Sequence, residues 1–404
     1  IVHYLYCVID YACRHLSDLA VQAISSSGCQ PTEHIRYKIP RCGGGESTFC
    51  NYNLKLAFYI TMSYADQHEA SSSKPPGIAK TYTYHEQDES SFADLPEPLV
   101  LSPADLLANY ETINVLAPLV RCSKLPFRHL TSLYETHITH TPMILAEEFS
   151  RSQTARISDF STSVNERGVF WVEPRKTPLG QSSSTTPHRS YQTSKPHNRL
   201  PPTAQPPTKD SQLVRGLLLA QFASPNSASL ADAAELIAPY IDGLDINCGC
   251  PQKWAFHEGI GCALLRKPEL VADMIRVTKD RMGWGWPVSI KIRIDPEEQY
   301  VVLLTTYGSN SRASRTDTLV RNAIAMGVSH ITIHGRTRHQ ASTEPVNLPG
   351  LKFAVECIKG EVPTVANGDL WTLEDAVEMR KTGVNGVMAA RGILAKYVPL
   401  RNIR

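Results

Sequence analysis

The chain has 404 residues, 42% of them hydrophobic, with 41 Lys and Arg against 39 Asp and Glu, ten Cys, and a net charge of +2. This excludes a wholly disordered chain and leaves enough apolar material for one large core or two ordinary ones. It also excludes a strongly basic surface, so any nucleic-acid contact must come from local patches. The scattered cysteines contain no paired CxxC units and point to a reducing compartment.

The opening IVHYLYCVIDYAC is apolar but interrupted by Asp10 and followed by Arg14. It is too short to span a bilayer and lacks the basic start of a signal peptide, so a cytoplasmic protein without membrane contact is expected, the nucleus being the alternative. Residues 1–95 hold no sustained period and include GGG, SSSKPPG and HEQDESS, which predicts a poorly structured N-terminal extension. From 96 to 404, eight apolar runs follow one another: 113–118, 142–148, 216–222, 242–249, 287–293, 329–335, 362–369 and 383–392. Strands buried on both faces read as such runs, as a helix-covered parallel sheet requires. Between them, Pro268–Met282 carries Leu270, Val271, Met274, Ile275 and Thr278 at helical spacing. A second helix is predicted from Thr372 as N-cap, with Asp375 three residues on, Leu373, Ala376 and Val377 inward, and Gly383 as the stop. The spacing predicts an α/β chain with a (β/α)8 TIM barrel, ahead of a Rossmann-type open sheet. Two breaks interrupt it: a disordered insertion at 166–213, Pro/Ser/Thr-dense from Val172 to Gln212, and a shorter loop at 307–317.

In such barrels chemistry sits where strands end. The polar residues of these runs fall there: Glu147 and Glu148, Gln221, Asn247 with Cys250, Lys291, His334, Asn367 with Asp369, and Arg391. Cys250 lies in NCGCPQ, where Gly249 permits a tight turn and Pro251 stiffens it. A thiol held there can donate or accept a proton, although a lone Cys is more often a small buried hydrophobe. The CxC lacks a matching Cys/His pair, so no metal is expected. Lys291 and Arg293 alternate with Ile290, Ile292 and Ile294 and so share a face. That face holds either an internal ion pair with a strand carboxylate such as Asp245 or a cation over an electron-rich cofactor ring. Gly368 and Gly392 let backbone amides approach an anion beside Arg391, at the ends of the seventh and eighth runs where phosphate sites recur. His334 alone fits a metal, a core hydrogen bond or a cofactor contact. No GxGxxG follows a strand.

Read in order, these residues resemble the tRNA-dihydrouridine synthase family. NCGCPQKWAFHEGIGCALLRKPELVADM is similar to its eukaryotic subfamily four, and NVLAPLVRCSKLPFRHL, TPMILAEEFSRSQTAR, LLLAQFAS, PVSIKIRID, ITIHGRTR, TVANGD and GVMAARG carry the likeness over 113–165 and 214–398. The resemblance implies FMN held by Pro118, Leu119, Val120, Gln221, Lys291 and His334, with Asn367, Gly368, Asp369, Ala390 and Arg391 around its ribityl phosphate. It implies that Cys250, not Cys248, is the catalytic acid, that Asn247 and Arg336 meet the substrate, and that NADPH is the transient reductant. The implied reaction adds hydride to carbon 6 of a D-loop uridine, at position twenty-a or twenty-b, and a proton from Cys250 to carbon 5. The implied partner is tRNA, with no stable protein partner. Since the sequence stops at Arg404, the family's C-terminal helical tRNA-binding domain is expected to be missing. The competing expectations are an FMN barrel acting on a small pyrimidine or enone, and a catalytically impaired RNA-binding fragment.

Overall fold

The computed structural model describes residues 95–163, 166–177, 205–295 and 314–395. The expected N-terminal extension lies outside the described residues but for its last position. In chain order the first elements are α1 (Pro103–Asn109), β1 (Ile113–Leu116), α2 (Leu125–Thr131), β2 (Ile138–His140), β3 (Ile144–Leu145), α3 (Ala146–Arg151) and α4 (Gln153–Asp159). Then come β4 (Val169–Val172), β5 (Gln212–Arg215), β6 (Leu217–Ala223), α5 (Ser227–Ile237), β7 (Gly243–Cys248), α6 (Lys253–His257) and α7 (Pro268–Met282). The last are β8 (Val288–Arg293), α8 (Arg315–Ala325), β9 (Ile331–His334), α9 (Leu348–Ile358), β10 (Thr364–Asn367), α10 (Leu373–Arg380), β11 (Gly386–Ala389) and α11 (Arg391–Ala395).

Eight strands run parallel and close into a ring in the order β1, β2, β6, β7, β8, β9, β10, β11. This is the expected (β/α)8 barrel. The second strand is corrected: it is Ile138–His140, not the run 142–148. Pro142 has no N–H to give a ladder and splits the ribbon, so only Ile144 and Leu145 rejoin β6 before α3 begins. Glu147 and Glu148 therefore sit in the first turn of a helix rather than at a strand end.

Alternation divides each strand between two cores. Leu244, Ile246, Cys248, Ile290, Ile292, Ile331 and Ile333 pack with Leu230, Ile237, Val271, Met274 and Ile275 from the helices outside. The opposite parity faces the barrel interior, where Ile113, Val115, Ile138, Leu217, Leu219, Val365 and Met388 form a second core. The helices follow their sequence signals: α7 ends at Gly283, whose φ is +96°, and Thr372 and Asp375 form a reciprocal capping box on α10. Val377 is an exception at 45% exposed; Met379 takes the inward place.

The insertion expected at 166–213 is corrected at its ends, while 178–204 lies outside the described residues. Its ends form an antiparallel hairpin, β4 with β5, whose Phe170, Val172 and Val214 join Leu106 and Leu107 in plugging the N-terminal end of the barrel. Before the hairpin, Arg128 and Glu166 make a buried ion pair at 2.5 Å. Asp242 receives the guanidinium groups of Arg167, at 2.7 Å, and Arg215. Burial pushes the Asp242 carboxyl up, but the two guanidinium groups outweigh it and hold the group below its usual range. Composition signalled a break; the continuous apolar run VFWV and the arginines flanking it mark the hairpin strand. Of the loop expected at 307–317, residues 307–313 lie outside the described residues, and the rest is corrected, because Ser314 caps α8 through the Asp317 amide. Among the described residues no helix is long and apolar enough to cross a membrane.

Candidate active site

A polarised chain of hydrogen bonds climbs from inside β7 and β8 toward the C-terminal ends of β6 and β7. Ser289 Oγ donates to Asp245 Oδ1 at 2.8 Å, and Gln221 Nε2 donates to Asp245 Oδ2 at 2.7 Å. Asn247 Nδ2 donates to Gln221 Oε1 at 2.8 Å, which turns Asn247 Oδ1 toward the loop, where it accepts the amides of Gly249 and Cys250 at 3.0 and 2.9 Å. A carboxylate only accepts, so Asp245 fixes the sense of both amide side chains. The Cys250 loop is held from the other side by Gly261, whose φ is +63° and where a Cβ would lie 2.7 Å from the Cys250 Cβ. Cys250 is half-buried, whereas Cys248 is fully buried on the helix side of its strand. Burial, then Asp245, pushes the Cys248 thiol well above its ordinary value, which leaves it unreactive.

Beside this chain stand the cations. Lys291 pairs in register with Asn247, and Arg293 with His334. Arg293 is pinned, its Nε donating to the Gly249 carbonyl at 2.9 Å and its Nη1 to the Thr337 carbonyl at 3.0 Å. The Lys291 ammonium has no hydrogen-bond or ion-pair partner among the described residues. Burial and then Arg293 push it down to about 8, against the pull of Asp245. The ion pair to Asp245 that the sequence allowed is therefore not formed. Burial, then Lys291, Arg293, Arg336 and Arg391, hold His334 far below the usual imidazole range, so its ring is neutral.

At the ends of β10 and β11 the backbone is shaped by close approach. Gly368 has φ +135°, and a Cβ there would meet Val346 Cγ1 at 2.3 Å and His334 Cδ2 at 3.4 Å; one on Gly392 would lie 1.8 Å from the Leu370 carbonyl oxygen. Asp369 accepts from Arg336, from Arg391 Nη2 at 3.4 Å and from the Val346 amide at 3.2 Å. Asn367 Nδ2 donates to the Met388 carbonyl at 2.8 Å.

Most residues expected at the site are brought to this end of the barrel, but not in equal standing. Gln221, Asn247, Cys250, Lys291, His334, Asn367, Gly368, Asp369, Ala390 and Arg391 end or follow their strands, and Pro118 and Leu119 follow β1 partly covered. Val120 stands 61% exposed. Arg336, expected at the substrate, is buried and spends its guanidinium on Asp369, the Glu344 carbonyl and the Ser342 carbonyl. Sequence reasoning missed Ser289; it placed Asp245 and Arg293 on this face, but as an ion-pair partner for Lys291 and as a cation, not as the anchor of the amide chain and the clamp of the Cys250 loop. Strand parity with Lys291 is the signal that could have found Ser289.

Residues 192–399 match the dihydrouridine synthase family. A tRNA-dihydrouridine(20a/20b) synthase-like protein of Mus musculus is 37% identical over 298 residues, 72% of this chain and 70% of that protein. Its counterpart in Homo sapiens is 36% identical over 298 residues, 72% of each. The tRNA-dihydrouridine(20a/20b) synthase of Saccharomyces cerevisiae is 35% identical over 285 residues, 70% of this chain and 60% of that protein. The names of all three also specify NAD(P)+.

Proposed function

Because the chain belongs to the dihydrouridine synthase family, we propose that it reduces uridine in the D-loop of tRNA to dihydrouridine, at position twenty-a or twenty-b, with FMN and NADPH. The observation that carries the flavin reading is the unpartnered Lys291 ammonium in a group of cations, Lys291, Arg293, Arg336 and Arg391, gathered around neutral His334. Such an excess of positive charge fits an anionic ring and phosphate. Bound flavin would supply the hydride chemistry that no side chain provides.

The chain's own groups do the rest. Asn247 Oδ1 holds the Cys250 amide, and Gly261 lets the loop fold back on it, so the thiol is presented from a packed turn. Cys250 Sγ gives its proton to carbon 5 of the uracil ring and is reprotonated from solvent. Lys291 and His334 would hold the ring system. Asp369, an acceptor only, does not bind phosphate itself but, held by the committed guanidinium of Arg336, steers the exposed Arg391.

The test is twofold: flavin absorbance of the purified chain, with the released cofactor identified as FMN, and dihydrouridine formed in unmodified tRNA with NADPH. Product from a free pyrimidine but not from tRNA would replace the RNA reading with a small-molecule one.

A further inference from the structure

Three of the chain's five tryptophans are exposed, Trp254 at 48%, Trp284 at 55% and Trp371 at 40%, and two have local reasons to be where they are. Trp284 follows α7 at the end of the barrel away from the site and donates its indole N–H to Asp280 at 3.1 Å. Trp371 lies under the Arg391 guanidinium, 5.3 Å from its ring centre. Trp254 has no hydrogen bond to its indole N–H and no ring or cationic partner on its faces among the described residues. Its place in the chain is informative. It is the second residue of α6, the turn that opens three residues after Cys250.

That turn is rigid underneath. Ala255 is fully buried in a small cluster with Ala223 and Ile260, against which Met143, Leu145 and Cys250 pack. The Ile260 amide donates to the Ala255 carbonyl at 2.9 Å, and the Glu258 amide to the Trp254 carbonyl at 3.0 Å. Phe256 is clamped by two guanidinium groups, Arg266 at 5.5 Å and Arg338 at 3.5 Å from its ring centre. The inner face of α6 thus touches the Cys250 side chain while its outer corner displays an idle indole. Lys253, Arg266, Lys267 and Arg338 lie around the turn, with the exposed carboxylates Glu258 and Glu269 beside them in the chain. An exposed ring within a cationic surround, on a fixed support, is what sequence-tolerant binding of an unstacked base uses.

From this we infer that Trp254 is a stacking platform for the base of a nucleotide flanking the target uridine, so that the loop that presents Cys250 also grips the RNA. The inference rests on the proposal that the substrate is RNA. Folding gives no competing reason for the indole, because its ring contributes nothing to either barrel core.

The test is a binding cycle on the full chain with a fluorescein-labelled, unmodified tRNA transcript, intact or carrying an abasic residue on the 5′ or 3′ side of the target uridine. Trp254→Ala should weaken binding of the intact transcript about tenfold, as should one of the two abasic residues with the unsubstituted chain. The two together should cost no more than either alone, and Trp254→Phe should retain most of the affinity. Melting temperature and flavin absorbance of Trp254→Ala should be unchanged. Equal affinity of Trp254→Ala for the intact transcript, or losses that multiply at both abasic positions, would overturn the inference while leaving the RNA reading standing. A lowered melting temperature with the abasic sensitivity intact would overturn it too, by making the indole structural. If the unsubstituted chain failed to bind the transcript at all, both the inference and the RNA reading would fall.

Discussion

Replacing Lys291 by Met should make the flavin-free protein more stable at neutral pH. The side chain sits among Asn247, Arg293 and His334 with no partner for its ammonium among the described residues, so Met removes a shielded charge and breaks no hydrogen bond. A fall from 10.5 to about 8 corresponds to at most about 3 kcal/mol of destabilisation while both folded and unfolded chains hold the proton. The sign follows from where each state loses it. Below pH 8 the full penalty is present. Between pH 8 and 10.5 the folded chain releases its proton first and the penalty fades; above 10.5 it is gone. Urea unfolding of the flavin-free chain and of Lys291→Met at pH 7 and pH 10 measures this, with a gain expected at the first and little at the second. A loss at pH 7, or an equal gain at both, would refute the claim that an uncompensated cation is stored there. Flavin affinity should fall in the same variant, since the charge that strains the empty barrel is the one the anionic ring would neutralise.

Cys250→Ala should still bind flavin and accept electrons from NADPH while dihydrouridine formation falls about a hundredfold to ten-thousandfold, and Cys248→Ala should keep most of the activity; product yield in unmodified tRNA separates them. Alkylation resolved by mass spectrometry should label Cys250 ahead of buried Cys248, with exposed Cys122 as the reference. Arg391→Ala should weaken FMN by about 1.5 kcal/mol, roughly tenfold, at the low end for a charge-assisted contact because the side chain is 44% exposed; equilibrium dialysis would read it. Joining residue 177 to residue 205 through a short turn should leave melting and flavin binding unchanged, whereas Phe170→Ala, which empties the plug at a residue 2% exposed, should cost about 3–5 kcal/mol in urea unfolding.

The barrel was legible because burial on both faces leaves a mark: six runs such as 242–249 and 287–293 each contain the strand observed there, and 216–222 covers all of β6 but its last residue. The second strand was not, since the run around Ile144 looks stronger than ITH at 138–140, and only the partner β6 decides which segment closes the ring. The insertion misled for a related reason: Pro and Ser density measures the middle of a segment, while Val169–Val172 gains its stability from Leu106, Leu107 and Val214, distant in sequence. At the site, the reactive types were visible as residues out of place in apolar strands. What could not be read was their commitment, because whether a guanidinium is free or spent, as Arg336 is on Asp369 and two carbonyls, depends on loops that meet only in the fold.

The β4–β5 hairpin closes the pole opposite the site, and its pairing holds Val172 beside Gln212, about 5 Å apart as any cross-strand pair. Whatever polypeptide joins these two positions leaves and returns through the same narrow gap. The entropy of closing such a loop grows only with the logarithm of its length, each doubling adding about 0.6 kcal/mol. Chain length at this point is therefore almost invisible to the barrel. Lineages could lengthen, shorten or exchange the segment without retuning the chemistry, and a folded guest whose own termini lie close together could be grafted there as a reporter or tether.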